Sequence, residues 1–140
     1  MEPEQAAEAL GVYRRHTDLL FSLEHIDSIV RMGRIPPEKA QGVGVLGVRL
    51  LGRAEQGSPK LLGRIRGERR NRDALLSEME FLGYRGGKVI IEYQEDDARA
   101  SDLMRAIRSR FGTAEIRVQP CSGLCDAYVE RGGLLVALER

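Results

Sequence analysis

Glu24, His25 and Asp27 bring two carboxylates and an imidazole together within four positions. Acid–base catalysis needs such groups to converge on one pocket. The apolar residues Ile26, Ile29 and Val30 fall at helical spacing here, and on a helix adjacent residues point in different directions. Ser122 sits in Pro-Cys-Ser-Gly-Leu-Cys, outside the Gly-x-Ser-x-Gly frame of a nucleophile elbow. Cys121 and Cys125 are spaced to face each other on a helical turn, but His16 and His25 lie far away in sequence. Two thiols without further ligands make neither a zinc site nor a disulfide framework, so both are expected to be ordinary, partly buried cysteines. The expectation is no catalytic constellation, no metal ligand set and no cofactor.

Gly42, Gly44 and Gly47 fit Gly-x-Gly-x-x-Gly. A dinucleotide site needs that motif between a strand and a helix, with an acidic residue about twenty positions on. Here Pro36-Pro37-Glu38-Lys39-Ala40 precedes it, and Arg and Lys dominate the region downstream. The glycines are better read as allowing close packing, or as leaving room for the apolar tail of a ligand. Arg64, Arg66, Arg69, Arg70 and Arg72 make a basic run around Glu68. Interleaved aromatics are missing, and 22 cationic residues against 21 acidic ones leave a net charge of +1. That balance speaks against nucleic acid and leaves a solvated face or a dock for an acidic partner protein.

A chain of 140 residues suits one domain with a real core. Hydrophobic residues are 42%, aromatics only 5%, and Trp is absent, so Leu, Ile, Val and Ala must build that core. No apolar run approaches the ~18 residues of a membrane span, and the acidic start MEPEQAAEAL is not a signal peptide. A cytoplasmic protein without membrane insertion is expected.

Pro3 to His16 predicts a helix with Ala6, Leu10 and Tyr13 as its apolar stripe, followed by a strand from Asp18 to Leu23. Ser22 is placed to cap the next helix, which Gly33 ends. Pro37 to Leu46 reads as helical, with proline in the first turn. Val48–Ala54 and Lys60–Arg66 read as strands around the turn 55–59. A helix with Leu75, Leu76, Met79 and Leu82 buried comes next, then the strand Lys88–Gln94. Asp96 or Asp97 caps a helix striped by Leu103, Met104, Ile107 and Phe111. A strand from Ala114 to Gln119, a short helix or turn within Ser122–Arg131, and the strand Leu134–Leu138 complete the chain. Hairpin chemistry interrupts the helix–strand alternation, so the fold class is α+β: a single domain, residues 1–140, with one mixed sheet packed by helices.

The order of these pieces resembles the C-terminal (second) domain of the DegV family of bacterial lipid-binding proteins. Leu23-Glu24-His25-Ile26 runs into Met32-Gly33-Arg34-Ile35, where the family has Gly-Gly-Arg-Ile. Leu46-Gly47-Val48-Arg49-Leu50-Leu51 matches a phrase that carries a cation, here Arg49. Gly57 falls on the hairpin glycine, and Arg64 to Arg70 on a basic Arg-Gly corner. Ala127 to Leu138 matches the family's C-terminal phrase, with Tyr128 in place of its histidine and Glu130-Arg131-Gly132 in place of Gly-Pro-Gly.

The resemblance implies a long-chain fatty acid bound between this domain and an N-terminal domain absent here, with the acyl tail in an apolar tunnel. It implies that Val43, Val45, Leu46, Arg49, Tyr128 and Arg131 meet the ligand. A tyrosine at 128 donates a hydrogen bond but carries no charge near pH 7, which makes Arg131 the local cation for a carboxylate. The resemblance further implies a fatty acid kinase as partner. The alternatives are a protein-interaction domain docking an acidic partner through Arg64, Arg66, Arg69 and Arg70, and part of an enzyme whose catalytic domain is missing.

Overall fold

Gln56 and Gly57 both take left-handed backbone, φ +51° and +80°. Two such residues form the turn whose twist matches that of paired strands, and they close the hairpin of β2 (Val48–Glu55) and β3 (Ser58–Arg66). That hairpin is one edge of a six-stranded sheet. The computed structural model describes residues 1–112 and 115–140. Its other strands are β1 (Thr17–Leu23), β4 (Val89–Tyr93), β5 (Ile116–Pro120) and β6 (Leu134–Glu139). The order across the sheet is β3-β2-β1-β6-β4-β5, antiparallel except for the parallel pair β4·β5.

Strand side chains alternate between the two faces, and each face has its own core. Leu20, Leu51, Ile91 and Val136 pack beneath α3 (Glu68–Phe81) and α4 (Ala98–Phe111), meeting Leu75, Leu76, Met79, Leu103 and Ile107. Of the stripes expected for α3 and α4, these five residues are buried, whereas Leu82, Met104 and Phe111 are half-buried. On the other face Phe21, Leu23 and Leu50 meet Ile26, Ile29, Ile35 and Val129 from α2 (Asp27–Arg31), α5 (Gly123–Val129) and their flanks. Each fully buried aliphatic side chain contributes on the order of 2 kcal/mol. Helices on both faces of a mixed sheet make this the α+β domain expected.

Four local expectations change. Pro37 to Leu46 is not a helix: a single 3₁₀ turn, Pro37–Lys39, gives way to reversals at Gly42, Gly44, Leu46 and Gly47, with φ +80°, +85°, +52° and +77°. Left-handed residues cannot continue a right-handed helix, and glycine adopts them without a Cβ clash. Ser22 does not cap α2. It is buried inside β1, and the α2 amide of Ser28 donates instead to Glu130 Oε2 at 3.0 Å, from 102 residues away. The first helix, α1 (Pro3–Tyr13), ends before a 3₁₀ turn over Arg14–His16 and buries no residue, leaving Leu10 67% exposed. The strand expected from Ala114 starts at Ile116; Ala114 itself lies outside the described residues.

Candidate ligand site

The antiparallel register brings the end of β1, the start of β2 and the start of β6 to one end of the sheet, with Leu23 opposite Leu50 and Ser22 opposite Leu134. β4 also finishes there, with Tyr93 opposite Leu134. Three of the non-glycine residues with positive φ flank these strand ends: Leu46 at +52°, Glu95 at +69° and Glu130 at +54°. Such strain persists only where surrounding structure holds it, and it concentrates at functional sites.

Arg49 points into this end and is 3% exposed. Its Nε donates to Ser22 Oγ at 2.7 Å, and its Nη2 donates to the carbonyls of Ser22 and Gly132 at 2.8 and 2.6 Å. Its Nη1 is buried with no hydrogen-bond partner and lies 3.8 Å from Glu24 Oε2. Glu24 is held by Arg99 at 3.0 Å, and Arg99 by Glu68 at 3.1 Å. Burial, then repulsion from Arg99, lowers the Arg49 pKa to about 10, against the pull of Glu24 and Glu68. Arg49 therefore stays a cation at neutral pH, and its desolvation is only partly compensated.

Arg49, Ser22, Glu68, Asn71, Arg99 and Leu134 are among the walls of a 190 Å³ cavity between the sheet end and the first turns of α3 and α4. A second opening of 550 Å³, which shares no lining residue with the first, lies on the other face of the sheet. Ile26, Val30, Ala40, Val43 and Val45 line this groove together with the polar side chains of His25, Asp27 and Arg31. Gly44 forms its rim so closely that a Cβ there would sit 3.1 Å from the Glu24 carbonyl oxygen.

The candidate site residues separate accordingly. Val43 and Val45 share the groove, and Val43 and Tyr128 both pack against the core cluster of Phe21 and Ile29. Arg49 belongs to the polar cavity on the opposite face of the sheet. Arg131 lines a shallow 330 Å³ depression with His25, Asp27, Glu95 and Glu130. Leu46 is 73% exposed.

Glu24, His25 and Asp27 do not converge: Glu24 faces Arg49 and Arg99, whereas His25 and Asp27 line the groove and the depression. Of the basic run, Arg64 donates to the Gln41 carbonyl and Arg66 to the Leu46 carbonyl, at 2.6 and 3.0 Å, bracing the glycine turns. Arg69 and Arg70 are exposed in the first turn of α3. Among the described residues no three His, Cys, Asp or Glu side chains gather to hold a metal ion, and no helix is long and apolar enough to cross a membrane.

Sequence reasoning missed Ser22 and Asn71 as site residues. Ser22 reads as a cap in sequence, and nothing local to Asn71 signals a cavity 22 residues after Arg49.

This architecture is an α+β domain whose mixed sheet carries a buried cation and an open groove at one end, on opposite faces. The chain belongs to the DegV family, described as "Uncharacterised protein, DegV family", whose profile matches residues 1–139. It is 36% identical over 137 residues to a DegV domain-containing protein of Streptococcus pneumoniae, covering 97% of this chain and 49% of that one. The chain spans about half the length of the curated relatives it matches. Among solved structures it superposes with a TM-score of 0.92 on the Streptococcus pneumoniae fatty acid kinase (Fak) B3 protein loaded with linoleic acid. That protein is 34% identical, with 99% of this chain and 50% of that one covered. A DegV family protein from Eubacterium eligens loaded with heptadecanoic acid gives a TM-score of 0.94 at 30% identity, covering 99% of this chain and 51% of that one.

Proposed function

We propose that this chain is the second domain of a DegV protein and forms the acyl-tail side of a fatty-acid-binding site. The carrying observation is the groove that Ile26, Val30, Val43 and Val45 line at one end of the sheet, with the buried guanidinium of Arg49, whose Nη1 makes no hydrogen bond, at the same end on the opposite face. A carboxylate meets such a donor with a charge-assisted hydrogen bond, stronger than a neutral one. The Glu24-His25-Ile26 segment links the two halves of the site, since Glu24 touches Arg49 while His25 and Ile26 line the groove. Val43 and Val45 meet the tail in that groove. Leu46 and the depression at Arg131 face the first domain, and Tyr128 supports the groove from its core side. Each methylene moved from water onto such a wall contributes about 0.8 kcal/mol. The bound fatty acids of the Streptococcus pneumoniae and Eubacterium eligens structures support the same ligand class.

The protein acts in the cytoplasm as a carrier rather than an enzyme and presents its fatty acid to a fatty acid kinase. Arg69 and Arg70 form the cationic dock for an acidic surface of that kinase, with Arg64 and Arg66 shaping the adjoining turn. Both Arg69 and Arg70 sit where the helix dipole disfavours positive charge, so their place there costs stability that a partner surface would offset. The test is the lipid content of the protein at its natural full length, extracted and weighed by mass spectrometry. One fatty acid per protein is expected in the native protein and much less in Arg49→Met. An intact protein free of acyl chains after mild purification would refute the carrier reading.

A further inference from the structure

The turn after α5 is strained, and its side chain reaches a wall of the groove. Glu130 takes φ +54° and ψ +177°. That lies outside the regions sterics leave open to L-residues, and glycine alone enters it without cost. Bonds on both sides hold the residue there. Its amide donates to the Asp126 carbonyl at 3.2 Å, and its carbonyl accepts from the Gly133 amide at 3.2 Å. Two residues on, the Gly132 carbonyl accepts from Arg49 at 2.6 Å.

The carboxylate of Glu130 meets a need in α2. The first amides of a helix have no partner within it. The residue at the N-cap of α2 is Ile26, which makes no side-chain cap bond. The Ser28 amide donates to Glu130 Oε2 at 3.0 Å instead. Ile26, Asp27, Val30 and Arg31, from α2 and its cap, line the groove. Glu130 thus ties that wall to the turn that Arg49 also grips.

We propose that Glu130 is a positioning residue for the acyl chain: its carboxylate fixes α2, and with it Ile26 and Val30, where the groove fits a tail. The inference rests on the fatty-acid reading and adds a residue that sets how tightly the tail is held. Strain of this kind costs the fold at least as much as one helix cap returns. Stability alone therefore gives no reason to keep a glutamate in this turn. The oxygen it delivers to α2 serves binding.

The test compares Glu130→Gly and Glu130→Gln with the native protein, all at natural full length and stripped of lipid. Two quantities are read: the dissociation constant for hexadecanoic acid and the lipid-free melting temperature. Glu130→Gly loses strain and cap together, so its melting temperature should hold or rise. Hexadecanoic acid should bind it about fivefold more weakly, the ratio that one lost cap supplies. Glu130→Gln keeps an oxygen for Ser28 and should bind within about twofold of the native protein. Unchanged binding by Glu130→Gly overturns the inference and leaves the fatty-acid reading intact. A melting temperature that falls together with binding marks a structural contact only and also overturns it, as does Glu130→Gln binding as weakly as Glu130→Gly. A native protein that takes up no hexadecanoic acid defeats both readings.

Discussion

Arg49 grips both oxygens of Ser22, its Nε donating to the hydroxyl at 2.7 Å and its Nη2 to the carbonyl at 2.8 Å. Ser22 lies on the neighbouring strand, one position from the Leu23–Leu50 pair. A third contact, to the Gly132 carbonyl at 2.6 Å, ties the turn before β6 to the same guanidinium. One side chain thus joins segments 27 and 83 residues away in sequence.

Replacing Arg49 tests that junction. Arg49→Met leaves the Ser22 hydroxyl and two carbonyls without their donor, and unmet buried polar groups cost roughly 1–3 kcal/mol each. Relief of the buried charge offsets part of that. The net expectation is a loss of about 2–4 kcal/mol in urea unfolding, with Arg49→Lys in between because an ammonium lacks the planar fork.

Val43 and Leu46 stand three residues apart but differ in burial. Val43 is partly buried against Ile26 and Ile29, whereas Leu46 is 73% exposed. Val43→Asp is expected to empty the groove of lipid by tenfold or more, because an ionised carboxylate does not tolerate an apolar wall. Leu46→Asp should leave the lipid content of the isolated protein unchanged. Extraction and mass spectrometry of the two variants side by side reads the difference.

The basic corner divides in the same way. On the proposed docking to a kinase, Arg69→Glu with Arg70→Glu should weaken that complex tenfold or more, seen as a raised dissociation constant, while raising fold stability by a few tenths of a kcal/mol through the helix dipole. Arg64→Glu with Arg66→Glu removes the bonds to the Gln41 and Leu46 carbonyls. That pair should lower the melting temperature as well.

Cys121 provides a pH signature. Burial first, then the nearby charge of Glu92, raises its thiol pKa to about 11 from the ordinary 9.0. The native state therefore holds that proton more tightly than the unfolded chain. Its contribution to stability is complete below pH ~9 and is lost as pH rises toward ~11, because the unfolded state ionises first. Alkylation at pH 8 should mark the exposed Cys125 well before Cys121. Equal labelling rates would show that the Cys121 thiol is not shielded.

Gly52 explains how closely the sheet is packed around Phe21. A Cβ at Gly52 would run into the Phe21 ring and lie 2.6 Å from the Lys60 carbonyl oxygen. A backbone carbonyl in a ladder cannot turn aside, so Gly52→Ala should destabilise by about 1–3 kcal/mol in denaturant titration.

The elements legible in the sequence are those whose residues carry their own period. Leu75, Leu76 and Met79 repeat at helical spacing and are buried as that spacing requires. Leu20 and Leu51 on one face, Phe21 and Leu50 on the other, agree with strand alternation. The family motif carries the DegV assignment. The segment Pro37 to Leu46 departs from its helical reading because proline permits a first helical turn there, while the glycines that follow favour left-handed backbone, and the backbone preference wins.

The site divides along the same line. Composition and motif order by themselves determined an α+β domain, a cation at position 49 and small apolar residues near 43–47. Only the tertiary structure decided what Arg49 touches. Ser22 and Glu24, Asn71, and Gly132 come from three separate segments, and each meets the cavity or the guanidinium through strand register and helix docking. Local periodicity records which face a residue takes. It does not record which distant partner satisfies a buried donor or leaves it free, because that depends on contacts made only when the sheet closes.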